Sequence, residues 1–402
     1  MNTFKNVALG ILSFLLFLSL IFFGLLFMAN STALNPDFLT SELDGMDVSL
    51  LIEESLEDEA FAEDTFEEGE SEELKTAIID NADRIEPLLK EQMNAVIYSV
   101  YDYLLVKKQE LELKATLRNT VFSADFINDI VDEVDVSYFV TFFIIGRLAE
   151  EIPAEMEYLV DYSEEYLDDV IFLNRPWLKE QINVVTDPVV DYLLGESQSL
   201  YVVISIKPLL ESLEENLIEP FLESPPVKLF GLSESTLQQH YDDYFEELTE
   251  VILPDITIDE SVIGTDTRDE FTQGLAEAEE ALEDARHYIS YFRLAYILLI
   301  VFMVLLIAGI VLISRNVKYI ALSVGITFMV YGIFEFVGIL VARHFIGTYI
   351  PYSDLPPSLE QWIPAFLGNL FSPLQWFSLG ILIGGIALVV VAFVYKRGQY
   401  TS

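Results

Sequence analysis

Apolar and polar positions fall into two regimes along this chain. Residues 7–28, 294–313, 318–341 and 373–394 are apolar nearly throughout. Each run is close to the ~20 residues a helix needs to cross a bilayer, so the pattern predicts four transmembrane helices. The first run holds 22 residues without a charge. That exceeds the ~7–15-residue apolar core of a secretory signal, which favours an uncleaved anchor over a peptide cut near Ser31-Thr32-Ala33.

Between the first two spans the pattern turns amphipathic, and it repeats. Leu89-Lys90-Glu91-Gln92-Met93-Asn94 recurs as Leu178-Lys179-Glu180-Gln181-Ile182-Asn183, and Val100-Tyr101-Asp102-Tyr103-Leu104-Leu105 as Val189-Val190-Asp191-Tyr192-Leu193-Leu194, at a spacing of 89 residues. Upstream, Thr32, Asp37, Phe38, Asp44, Asp47, Val48 and Ser49 match Thr120, Asp125, Phe126, Asp132, Asp135, Val136 and Ser137 at a spacing of 88. A repeat of this size predicts a duplicated structural module.

Within the first copy Leu89, Met93, Val96, Ile97, Val100, Leu104 and Leu105 fall on one face of a helix. The second copy keeps the stripe with Leu178, Ile182, Val185, Val189, Leu193 and Leu194, although Asp187-Pro188 predicts a break within it. Alternation follows each helix: Leu111, Leu113, Ala115 and Leu117 in one copy, Leu200, Val202, Ile204 and Ile206 in the other. Period two predicts strands. The second, apolar on both faces through Val202–Ile204, is expected to be the more buried, and the two are expected to pair about a pseudo-twofold axis. Further on, residues 234–251 read as a helix, Ile256-Thr257-Ile258 as a short alternation, and 271–287 as a helix entering the second span. Such a helix serves as a rigid stalk or as a lever.

Charge separates the regimes further. The chain has 402 residues and a net charge of −45, and residues 31–288 hold 63 of its 66 acidic side chains. Phosphate would be repelled by that segment, so nucleic acid is excluded as a partner. Lys5, Arg315, Lys318, Lys396 and Arg397 flank the spans on one side, against Arg293 and Arg343 on the other. By the positive-inside rule both termini and the loop between the second and third spans are cytoplasmic. Residues 31–288 and the loop 342–372 are then outside the plasma membrane, and 359–370 reads as an interfacial helix capping the bundle.

The fold class expected is therefore a membrane protein of four transmembrane α-helices with a large, mainly α-helical (α+β) extracytoplasmic domain built by tandem duplication. Its parts are an anchor (1–30), repeat 1 (31–118), repeat 2 (119–208), a stalk region (209–288) and a three-helix bundle (289–402). One span, an outer domain and three further spans form an order that resembles the cell-division and macrolide-exporter-type ABC permeases. The likeness is one of topology alone, without a shared motif.

Candidate chemistry is sparse. The absence of Cys excludes disulfides, thiolate zinc sites and iron–sulfur clusters. No phosphate loop, zinc-protease, nucleophile-elbow or kinase signature occurs. His240-Tyr241-Asp242-Asp243 is the nearest thing to a metal cluster, but neighbours on a helix point in different directions. Residues 53–73 carry twelve carboxylates and no base, which predicts a solvated segment rather than a calcium loop. No catalytic residue, cofactor or metal is expected.

Two features remain as candidate sites. Tyr138, Phe139, Phe142 and Phe143 belong to an apolar stretch too short to span a bilayer. It is expected either as a core helix or as a surface for lipid or an apolar ligand. Glu335 is the only acid inside a span, where a charge costs about 2.5–3.5 kcal/mol or more. It is expected as a packing hydrogen bond or as a transport residue, in a span whose Gly325, Gly332 and Gly338 suggest close packing. The function expected is a non-enzymatic prokaryotic membrane protein that binds a ligand or partner protein at the cell surface, with membrane lipid and a partner membrane protein as its associates. The alternative is a transporter or permease-like component that uses the bundle.

Overall fold

The computed structural model describes residues 2–57, 71–134, 170–251, 255–349 and 355–398. In chain order its helices begin with α1 (Asn2–Ser31), α2 (Pro36–Asp44), α3 (Val48–Glu57), α4 (Ser71–Asp80), α5 (Ala82–Leu104), α6 (Leu113–Asn119), α7 (Ala124–Glu133) and α8 (Arg175–Leu193). Strand β1 (Tyr201–Ser205), α9 (Lys207–Glu223), α10 (Glu234–Val251), β2 (Asp255–Asp259) and α11 (Glu260–Ile263) follow. The chain ends with α12 (Thr265–Ser314), α13 (Val317–Tyr349), α14 (Pro357–Leu370) and α15 (Ser372–Gly398). The fold is mostly helical, and α1, α12, α13 and α15 carry the four stretches long and apolar enough to cross a membrane. They make this a multi-pass membrane protein. The apolar stretch 138–145 and most of the acidic run 53–73 lie outside the described residues.

The chain divides into two compact units: Met1–Leu51 with Ile97–Leu111 and Glu280–Ser402, and Ile52–Val96 with Glu112–Glu279. In the first unit Leu16, Leu20, Leu306, Ile310, Val324 and Tyr331 form the core of a helical bundle. The hydroxyls of Ser13 and Ser323 hydrogen-bond at 2.7 Å, linking α1 to α13. Glycine sets the approach of α13 to α15. A Cβ on Gly332 would lie 2.6 Å from Cβ of Leu382 and 2.9 Å from its backbone, and one on Gly385 would lie 2.7 Å from the backbone nitrogen of Met329. Gly325 belongs to the same seam, whereas Gly338 faces open space, contrary to its expected packing role.

The helix expected over 359–370 is α14, and it grips α2. Trp362 Nε1 donates to the Glu42 carbonyl at 2.8 Å, Asn369 Nδ2 donates to the Glu42 carboxylate at 2.9 Å, and Phe366 meets Phe38. Arg293 donates to the carbonyl of Leu105, Arg286 to those of Lys108 and Gln109, and Arg343 to that of Gly368. Guanidinium groups thus satisfy backbone acceptors that a turn leaves free.

In the second unit α9 and α10 pair through Leu209, Leu210, Leu213, Leu217 and Phe221 against Leu237, Tyr241, Tyr244 and Phe245. Strand β1 pairs antiparallel with β2, with Val202 opposite Ile258 and Ile204 opposite Ile256. This corrects three sequence expectations. The stretch 111–117 is not a strand, because Leu113 begins helix α6. Leu113 and Leu117 stand at i and i+4 among the strong helix formers Lys114, Ala115 and Arg118, so the alternation fits a helix equally well. β1 consequently pairs with the segment around Thr257 and not with a copy of itself. Its second face is open, with Tyr201 and Val203 exposed.

Pro188 does not break the second repeat helix either. It lies inside α8, which runs unbroken to Leu193 and forgoes the one hydrogen bond that Pro188 cannot donate. Downstream, the helix expected over 271–287 and the second span form a single helix, α12, of 50 residues.

Two helix ends 89 residues apart close in the same way. After α5, Val106 takes φ +62°, and the N–H groups of Lys107 and Lys108 donate to the Asp102 carbonyl at 2.8 and 2.9 Å. After α8, Gly195 takes φ +71°, and the N–H groups of Glu196 and Ser197 donate to the Asp191 carbonyl at 2.8 and 2.9 Å. Tyr103 and Tyr192, the residues that follow those aspartates, are both buried.

Candidate functional site

The apolar stripe of α8 does not end in close packing. Leu178, Ile182, Val185, Val189 and Leu193 line a partly open cavity of about 640 Å³, bounded also by Ile204 of β1, Ile256 and Ile258 of β2, and Phe122, Ile127 and Leu209. Strand register explains the sheet's share: Ile204 and Ile256 are paired, so alternation brings them and Ile258 to one face. Trp177 stands at the N-terminal end of the stripe, and Val262 of α11 completes the wall.

Polar groups hold the frame rather than enter the cavity. Arg118 of α6 donates to Asp191 and, at 2.5 Å, to Glu196, while Lys114 donates to the Leu194 carbonyl at 2.7 Å. The hydrogen bond to Asp191 holds the Arg118 guanidinium pKa above its ordinary value. Lys179 pairs with Asp132 at 2.5 Å, and Asn128 with Asn183 at 3.0 Å, tying α7 to α8. At the sheet end the Asp259 side chain caps α11, accepting from the Ser261 hydroxyl and N–H. Those two bonds hold the Asp259 carboxyl below the usual carboxylate range.

Among the described lining residues, Gln181, Thr186 and the indole N–H of Trp177 are the polar groups. The Thr186 hydroxyl donates to the Ile182 carbonyl at 2.7 Å. The Gln181 carboxamide makes no hydrogen bond to another described residue. Ligand pockets are typically ~300–1,000 Å³, apolar, with a few placed polar groups. The pocket is partly open to solvent, so when empty it exposes hydrocarbon to water. An apolar occupant therefore has a large desolvation gain available here.

Of the sequence candidates, Tyr138, Phe139, Phe142 and Phe143 lie outside the described residues. Glu335 sits on α13 and is 9% exposed. One turn away is Tyr331, whose hydroxyl is fully buried without a partner; a Cβ on Gly24 would come within 2.5 Å of it. Glu335 itself makes no hydrogen bond or ion pair to another described residue. His240 is exposed on α10 while Tyr241 is buried, so that tetrapeptide does not converge. Among the described residues no group of three or more His, Asp or Glu is placed to hold a metal.

In the sequence the α8 stripe was legible as one face of a helix. The stripe and the alternations at 200–206 and 256–258 were each visible; that the two alternations pair and bound a cavity with the stripe was not. No known protein family, curated protein or solved structure matches this chain.

Proposed function

We propose that this chain is a non-enzymatic membrane protein of a prokaryotic plasma membrane, whose acidic unit lies outside the cytoplasm and holds an apolar ligand in the α8 cavity. The observation that carries this reading is the cavity itself: about 640 Å³ with hydrocarbon walls and one carboxamide. Orientation rests on Lys5, Arg315, Lys318, Lys396 and Arg397. Lys5 Nζ donates to the Ser314 carbonyl at 3.1 Å, which supports a shared cytoplasmic end for α1 and α12. Arg293 and Arg343, on the opposite side, are both bound to carbonyls and have a local use there.

Tandem duplication is part of the reading, supported by geometry that recurs with the sequence. The hydroxyls of Thr32 and Thr120 each donate to a carbonyl four residues back at 2.7 Å. Asn35 and Ser123 each cap the next helix, and the turns after Leu104 and Leu193 match bond for bond. A bound state would be read by lipid or by a partner membrane protein.

The test is ligand binding by the full chain in neutral detergent, using the apolar fluorophore N-phenyl-1-naphthylamine. Saturable binding is expected, and Val185→Phe with Val189→Phe should abolish it without lowering the unfolding temperature. Unchanged binding by that double variant would remove the cavity from the account.

A second reading, a transporter component, is favoured by the buried pair Tyr331 and Glu335. Under the binding-protein reading Glu335→Gln leaves fluorophore binding unchanged and supports growth as the parent does. A transport defect in vesicles with folding intact would put the second reading first.

A further inference from the structure

The cavity and the charge of the unit that contains it together restrict the ligand further. We infer that the site takes an uncharged single-chain lipid, a long alkyl or isoprenyl chain ending in a hydroxyl or carbonyl, and rejects its anionic counterpart. This inference rests on the apolar-ligand reading above.

Shape gives the single chain. The lining stripe from Leu178 to Leu193 spans 15 residue steps, about 22 Å along the helix axis. A volume of about 640 Å³ along this apolar stripe lies in the ~300–1,000 Å³ range of a single ligand's pocket, and the length of the stripe favours an extended hydrocarbon chain. The wall offers such a chain branched aliphatic contacts from helix and sheet alike.

Charge gives the head group. The second unit carries 54 acidic and 11 basic side chains, a net of −43, while the first carries 12 and 10, a net of −2. A domain so charged produces a negative potential of several kT over its surface. The basic side chains framing the cavity are already engaged: Arg118 by Asp191 and Glu196, Lys179 by Asp132, Lys114 by the Leu194 carbonyl. Among the described residues no cation lines the wall to neutralise a carboxylate or phosphate. Gln181 supplies instead a carboxamide that both donates and accepts, matched to a hydroxyl or carbonyl.

Trp177, on the wall, reports occupancy. The full chain in neutral detergent is titrated with 2-bromododecanol, 2-bromododecanoate and 1-bromodecane, the first two carrying bromine beside the head group that Gln181, one turn from Trp177, would hold. The Trp177 signal is isolated as the difference from Trp177→Phe. The alcohol should quench saturably, and the carboxylate should require about tenfold more at low salt. That gap should narrow in high salt, where the field is screened. Gln181→Leu should weaken the alcohol about fivefold and leave 1-bromodecane unchanged. A carboxylate that quenches as well as the alcohol, or a gap indifferent to salt, overturns this inference and leaves the apolar-ligand reading standing. If no bromo compound quenches Trp177, that reading fails and the head-group selectivity falls with it.

Discussion

Val106 and Gly195 do the same job at unequal cost. Both residues sit at positive φ, +62° and +71°, and both let the next two N–H groups turn back onto an aspartate carbonyl. A side chain in that region costs about 1–2 kcal/mol, and a β-branched one is a poor choice for it. Val106 is 48% exposed, so little burial offsets the strain. Val106→Gly should therefore stabilise the protein by about 0.5–1 kcal/mol, after the larger entropy of unfolded glycine is subtracted. Gly195→Val should destabilise it by about 2 kcal/mol, because its Cβ would also lie 2.9 Å from Cγ2 of Thr272. Thermal unfolding of both variants measures this. Shifts of the same sign would mean that backbone strain is not what separates the two turns.

Between elements, the seam of α13 and α15 shows how narrowly small residues set a helix pair. The Cβ that Gly332→Ala would add meets the backbone of Leu382 as well as its side chain. Relief requires the helices to part, and a loss of about 1–3 kcal/mol is expected. Gly338→Ala, on the same helix but in open space, should instead gain up to about 1 kcal/mol from helix propensity. Retention of the folded fraction on heating in detergent distinguishes the two, and equal losses would deny the seam its role. The sequence spacing marked Gly325, Gly332 and Gly338 alike, since all three break the run of large apolar residues. Which of them meets a neighbour depends on how α13 is rotated, and a single helix's periodicity carries no record of the facing Gly385.

The same limit explains the strands and the site. Leu113 and Leu117 satisfy both a period of two and an i, i+4 step, so pattern alone could not choose. The partner of β1 lies about fifty residues downstream, beyond any local signal. The α8 stripe from Leu178 to Leu193 was legible in full as a helix face. That it meets a cavity rather than a packed neighbour depends on Ile204, Ile256 and Ile258 standing across from it. The four membrane helices were legible because length and apolarity are properties of one segment.

Across the whole molecule, nearly all the net charge lies in one unit, −43 against −2. Like charges at this density oppose compaction through self-repulsion. The Debye length falls from about 30 Å at 10 mM salt to about 3 Å at 1 M, so added salt relieves that repulsion. It also screens the pairs of Arg118 with Asp191 and Glu196 and of Lys179 with Asp132. Those pairs are partly exposed, and such pairs are each worth about 1 kcal/mol or less. Repulsion is summed over many uncompensated carboxylates and should win. Hydrogen exchange followed by mass spectrometry, on the full chain at both salt concentrations, resolves the units separately. Amides of α8, α9 and α10 should exchange more slowly at 1 M, while those of α1, α13 and α15 should not change. Faster exchange in α8 at high salt would mean that its ion pairs outweigh the field. The head-group selectivity argued from that field would then lose its basis, although the hydrocarbon wall would remain.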